Sequence, residues 1–312
     1  MAQQTVVVKL PRSSFDSIRD AIESAFGGAV EWRNVAHAAW SAKVDGVVAT
    51  VYSSGKAVIQ GATADAFVSR FFADGTTQAP KDSGKPSKSD AELPTDRPSF
   101  GSDEAGKGDY FGPLVVAAVR TRPEDHAWLE EAGVTDSKAL SDRRAHELAG
   151  LLQSRLDHEV RSLGPTAYNE RYRSTPNVNQ ILADMHADAL DALAKRDPDV
   201  ELTIVDRFGS EKLVRSALES RGRSFGQLIQ VPRAERHPSV AAASVLARSA
   251  FLDGLQQCEE DTATDLHKGA GQPVDVAAKR VVKLGGRELL SKVAKMHFKN
   301  TGRAGLPVAE ED

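Results

Sequence analysis

Residues 100–113, FGSDEAGKGDYFGP, place two consecutive acids, Asp103 and Glu104, just ahead of a glycine-flanked lysine, Gly106-Lys107-Gly108. Neighbouring strand residues point to opposite faces, so both acids serve one site only where a strand ends or bulges, and the two glycines supply such a break. Glycine also lets the backbone approach a nucleic-acid strand, with its N–H groups and Lys107 offered to a phosphate or sugar. An acidic turn before a flexible loop explains the dipeptide equally well. Asp206 follows the apolar run LTIV at 202–205, at the carboxyl end of a strand, where α/β sheets bind ligands and where a buried charge needs a partner. A strand-ending Asp that starts a turn is the alternative. Glu235 immediately precedes a small-residue helix, where the helix dipole favours a carboxylate, so capping alone accounts for it.

The elements that must carry these residues follow from periodicity. From residue 99 to about 305 strand-like and helical stretches alternate, which predicts an α/β layered domain. Residues 112–119 read as a strand, Ser141 as an N-cap with Ala145, Leu148, Leu152 and Leu156 on the buried face behind it, and Pro238 as the first turn of a helix through Leu252. The face 241–244, Ala-Ala-Ala-Ser, is small enough for close packing. Ahead of this domain lies a small α+β unit: a strand at 6–10, a helix with Phe15, Ile18, Ile22 and Phe26 at helical spacing, β-prone runs at 38–44, 47–52 and 56–60 divided by Asp45-Gly46 and Ser54-Gly55, and a second helix at 62–72. Residues 76–98, rich in Pro, Ser, Lys and Asp and without apolar periodicity, read as a flexible linker.

Composition narrows the class. With 40% hydrophobic and 27% charged residues, the chain fits a soluble globular protein, and its longest apolar runs fall short of the ~20 residues of a membrane span. Residues 1–10 lack the basic and apolar regions of a secretory signal, so a cytoplasmic location is expected. Cys258 is the only cysteine, which excludes an internal disulfide and leaves oxygen or histidine to hold any metal. The net charge of −4 conceals clusters: residues 279–303 carry eight Lys or Arg against Glu288 alone, and residues 207–248 eight against three acids. Such clustering suits a phosphate backbone, although a solvated helix face gives the same pattern.

Several separated blocks together resemble ribonuclease HIII: GSDEAGKGDYFGP, DSK at 136–138, IVD ending at Asp206, and AERHPSVAAASVLAR at 234–248, in that order. LHKGAGQPVDVAA at 266–278 and VAKMHFKNTGRA at 293–304 add to the likeness, and TVYSSGKAVIQG at 50–61 resembles the TATA-binding-protein-like domain that precedes the catalytic domain in that family. The resemblance implies a ribonuclease H-like catalytic domain, a mixed sheet flanked by helices, at 99–305, preceded by a TATA-binding-protein-like substrate-binding domain at 1–75 and followed by an acidic tail at 306–312. It carries the four acidic catalytic and metal-binding residues over to Asp103, Glu104, Asp206 and Glu235. Ribonuclease HII typically has Asp at the fourth position and lacks the N-terminal domain, so both features favour HIII.

By the same resemblance Gly106, Lys107 and Gly108 meet a ribose 2'-hydroxyl, and Ser137 and Lys138 lie near substrate phosphates. Lys43 and Lys56 extend a hybrid-binding surface. The implied activity is endonucleolytic hydrolysis of the RNA strand of RNA/DNA hybrids with two divalent ions, Mg2+ or Mn2+. Cleavage leaves 5'-phosphate and 3'-hydroxyl ends, in replication or repair, by a monomer without an obligate protein partner or a membrane. Oxygen-only ligands suit those ions. Asp103 is expected to bridge both ions while Glu104, Asp206 and Glu235 complete the set. A junction resolvase with a similar acidic cluster and a catalytically silent hybrid-binding module are the competing readings.

Overall fold

The computed structural model describes residues 4–35, 38–72, 76–78, 93–134 and 140–307, and the chain divides into two units, Met1–Ser87 and Lys88–Asp312. Alternation builds the first. In β1 (Gln4–Lys9) Val6 and Val8 are buried while Thr5 and Lys9 are exposed, the period of two of a half-covered strand. α1 (Phe15–Phe26) buries Phe15, Ile18 and Ile22. β2 (Glu31–Arg33), β3 (Ala38–Val44), β4 (Val47–Tyr52) and β5 (Lys56–Gly61) follow, then α2 (Ala64–Phe71) and β6 (Thr76–Gln78). The sheet, ordered β2-β3-β4-β5-β1-β6, is antiparallel throughout. Asp45 and Gly46 take φ of 50° and 72°, the paired positive values of a tight two-residue hairpin turn. Lys43 and Lys56 are exposed, and Lys9 stands directly opposite Lys56 in the β1–β5 ladder.

The segment read as a linker begins with β6, which pairs with β1, and ends in the second unit, where Leu93 is buried among Leu202, Ile204 and Val240. Residues 79–92 lie outside the described residues.

The second unit is a layered α/β domain. Its strands are β7 (Ser99–Ala105), β8 (Leu114–Thr121), β9 (His158–Leu163), β10 (Leu202–Asp206) and β11 (Gln227–Val231), in the order β11-β10-β7-β8-β9. The first three of that order run parallel and the last two pair antiparallel, giving a mixed sheet. Its helices are α3 (Pro123–Glu131), α4 (Asp142–Arg155), α5 (Pro165–Ser174), α6 (Val178–Arg196), α7 (Glu211–Glu219), α8 (Pro238–Thr262), α9 (Gln272–Val293) and α10 (Lys299–Arg303).

β8 shows why there are three layers. Every residue of its LVVAAV run is apolar and buried. Val115, Ala117 and Val119 join the core under α4, α8 and α9, while Leu114, Val116 and Ala118 join the core under α6 and α7. Full burial of each Val or Leu contributes ~1.5–3 kcal/mol over exposure, which a strand covered on one face would forgo at half its positions. Ser141 caps α4 as expected, its Oγ accepting from Arg144 N–H at 3.2 Å. α8 runs ten residues beyond the expected end at Leu252, to Thr262. Its small face lies against β7 closely enough that a Cβ on Gly101 would stand 2.3 Å from the Ser239 carbonyl carbon.

Candidate active site

The parallel pairing of β7 with β10 creates the site. Val205 lies opposite Ser102, so Asp206 comes level with Asp103 at the carboxyl ends of two central strands. β7 continues in unbroken register through Asp103 opposite Ala117 and Glu104 opposite Val116, so the two carboxylates leave on opposite faces without a bulge. They meet because the strand stops one residue later. Gly106 turns the chain at φ 86°, and a Cβ there would stand 2.2 Å from the Pro113 carbonyl oxygen and 2.9 Å from the Phe251 ring. The cavity so formed, about 340 Å3, is lined by Asp103, Glu104, Asp206 and the Gly106-Lys107-Gly108 turn, and by Ser244, Arg248 and Lys268.

Asp103 is the acid of the cavity most shifted by its surroundings. Burial, then the charge of Glu104 and after it that of Asp206, push its carboxyl up to about 7, against hydrogen bonds from Ser244 and from the Glu104 N–H that favour the anion. That N–H donates to Asp103 Oδ1 at 2.8 Å. Asp206 Oδ1 accepts from the Ala234 N–H at 2.8 Å, which brings the backbone beside Glu235 to the site's edge. Glu235 lines a different cavity, with His126, Glu130 and Arg236. Three of the four expected carboxylates therefore share one cavity, and the fourth stands next to it. Ser137 and Lys138 lie outside the described residues.

The cations are held by specific contacts. Lys107 Nζ donates to the Phe208 carbonyl at 2.7 Å and stands 4.0 Å from Glu104 Oε1. Asp142, the first residue of α4, accepts from Arg248 at 2.8 Å and from Lys268 at 2.8 and 3.0 Å, and these two cations hold its carboxyl below the usual range. Behind the glycine turn, buried Lys295 donates to the carbonyls of Asp109 and Gly112 at 2.8 and 2.7 Å, and burial pushes its ammonium down to about 7.

Sequence reasoning did not assign Ser244, Arg248, Lys268, Lys295 or His186 to the site. For two of them a signal exists: Ser244 and Arg248 are four residues apart on α8, the spacing of one helix face, with Phe251 and Leu252 continuing it. His186 on α6 is fully buried and stacks on Phe208, with Nε2 3.5 Å from Glu104 Oε2. Asn169 pins the end of α9: it donates to the Ser291 and Ala294 carbonyls and accepts from Met296 N–H.

The donor set fits a hard divalent cation. The acids offer oxygen ligands, and the burial and neighbouring anions that resist ionisation of Asp103 are what a cation would offset. No three His, Cys, Asp or Glu side chains among the described residues are grouped to hold an ion as they stand.

A mixed sheet between helical layers, with carboxylates gathered at the ends of its central strands, is the arrangement of a nuclease of the ribonuclease H fold. The ribonuclease HII family model matches residues 100–301, and a domain of unknown function matches residues 5–84. Ribonuclease HIII of Chlamydia pneumoniae is 37% identical, with 94% of this chain and 95% of the relative covered; that of Protochlamydia amoebophila is 36% identical over 85% of each. Among solved structures, Bst-RNase HIII in complex with Mn2+ is similar at 32% identity with a TM-score of 0.65, covering 96% of this chain and 98% of that one. The chain belongs to the ribonuclease HII family and, within it, to ribonuclease HIII. It is a ribonuclease H, and its first unit is the TATA-binding-protein-like domain of that architecture.

Proposed function

We propose that the chain hydrolyses the RNA strand of RNA/DNA hybrids endonucleolytically, with Asp103, Glu104, Asp206 and Glu235 holding two divalent ions, Mg2+ or Mn2+. The products are 5'-phosphate and 3'-hydroxyl ends, and the role is removal of RNA from DNA in replication or repair. The observation that supports this reading most is the convergence of Asp103, Glu104 and Asp206, from strands a hundred residues apart, on one cavity that also contains Lys107, Arg248 and Lys268. When bound, such ions make water a nucleophile near neutral pH and offset charge on the leaving 3'-oxygen.

The chain's own residues do the rest. Asp103, between Glu104 and Asp206, is the central ligand, and Glu235, one residue beyond the Ala234 N–H that Asp206 accepts from, is the fourth. Arg248 and Lys268, held at the rim by Asp142, meet backbone phosphates, with Ser137 and Lys138 as further contacts. N–H groups of the Gly106–Gly108 turn reach 2'-hydroxyls in the shallow minor groove of an A-like hybrid, which distinguishes RNA from DNA. The open sheet face with Lys9, Lys43 and Lys56 adds a second hybrid contact.

Incubating the protein with Mg2+ or Mn2+ and end-labelled RNA/DNA hybrid, duplex DNA and a four-way junction tests the reading. Cleavage confined to the RNA strand supports it, and an intact hybrid with both ions refutes it.

A further inference from the structure

We infer that His186 is a positioning residue for Glu104, deciding which of its carboxylate oxygens faces the cavity; this rests on Glu104 being a metal ligand as proposed above. Hydrogen-bond accounting orients the ring. Ser102 has one hydroxyl proton, and its Oγ lies 2.9 Å from the Ala117 carbonyl, which can only accept. Oγ must therefore accept at its 2.6 Å contact with His186 Nδ1, so Nδ1 carries a proton. The ring is fully buried and stacks on Phe208 with centroids 4.7 Å apart and planes 6° from parallel, which prevents it from turning over.

Nε2 is thereby aimed at Glu104 Oε2, 3.5 Å away, and both atoms are buried with no other hydrogen-bond partner. Each of these buried atoms therefore has the other as the polar contact open to it, and losing that contact would leave the survivor without a partner. The 3.5 Å separation is a polar contact longer than an ordinary hydrogen bond. Oε2 thus faces the α6 side. Oε1, 4.0 Å from Lys107 Nζ, is left for the cavity. Phe208 serves both halves, since its ring backs His186 and its carbonyl holds Lys107. A glutamate with three rotatable bonds is in this way reduced to one presentation, which lowers the ordering cost of binding an ion.

Asn and Gln each retain one half of the imidazole: the Asn amide nitrogen sits where Nδ1 does, and the Gln nitrogen where Nε2 does. In the full chain, His186→Asn should weaken Mn2+ affinity, measured by calorimetry, about 10–100-fold, while His186→Gln stays within about threefold of the parent. Thermal midpoints of the two should match. Glu104→Gln separates the two levels of the argument. If Glu104→Gln loses affinity and His186→Asn does not, His186 has no positioning role and the carboxylate reading stands. If Glu104→Gln binds Mn2+ as the parent does, the carboxylate reading itself falls. Equal losses in both His186 variants, tracking thermal stability, would reduce the residue to packing. Nitrogen-15 spectra of the parent's histidines give a check that needs no variant: a protonated Nδ1 on His186 is expected, and an unprotonated one overturns the inference.

Discussion

Burial holds the Asp103 carboxyl at about 7, and the two anions beside it act in the same direction. Its folded pKa lies above its unfolded value, so the contribution to stability is present in full below about pH 4 and is lost as pH rises through about 7. A divalent ion reverses that loss by replacing the proton. Mn2+ should therefore raise the thermal midpoint more at pH 8 than at pH 5.5; an equal rise at both would detach metal binding from Asp103. Asp103→Asn keeps the shape and removes the charge. It should lower hybrid cleavage by at least about a thousandfold while leaving hybrid affinity, by fluorescence anisotropy, within a few-fold; loss of both together with a lower melting point would make Asp103 structural. The shared placement of Asp103, Glu104 and Asp206 could be anticipated because each stands where a strand of an α/β layer ends, although the dipeptide and the strand-ending Asp each read equally well as a turn when taken alone. His186 was not legible, because a lone histidine on a helix has meaning only once α6 is laid across β7 and Ser102 is found beneath it.

At the scale of elements, close approach decides more than side-chain chemistry. A methyl added at Gly101 would lie 2.3 Å from the Ser239 carbonyl carbon and 2.4 Å from the Val240 nitrogen, both backbone atoms that cannot step aside. Gly101→Ala should cost on the order of 1–3 kcal/mol or more, read as a lower urea midpoint, because α8 must lift from the strand that carries the acids. Gly108→Ala, with open space around its new methyl, should leave the midpoint within experimental scatter. Strong periodicity made β8, α4 and most of the first unit readable: β3 and β4 have the expected bounds, and α1 buries three of the four residues at its helical spacing. β2, β9 and β11 escaped detection. They are short, and edge strands such as HEVRSL mix charged and apolar residues because one side has no neighbour to demand otherwise. α8 was cut short at Leu252 because its apolar stripe fades into QQCEEDT, which stays helical on propensity and on the burial of Leu255 and Cys258.

Across the whole molecule, affinity for an anionic polymer is expected to come from charges outside the cavity as well. Lys9 and Lys56 face each other directly on the open sheet, an arrangement that costs folding energy unless something negative arrives between them. Replacing both by Ala should raise or preserve the thermal midpoint, weaken hybrid binding, and flatten the dependence of log affinity on log salt by about one to two; an unchanged slope would remove that sheet from the binding surface. The pairing of Val205 with Ser102 has a different consequence, one for the order of events. Asp103 and Asp206 become neighbours only after a loop of a hundred residues has closed and two parallel strands have registered, among the most non-local steps the chain must take. Catalytic competence is therefore a late reporter of assembly. In refolding from urea, helical signal should return before hybrid cleavage does, and a chain released early from synthesis, with α4 and α6 already wound, would be inert toward the RNA around it.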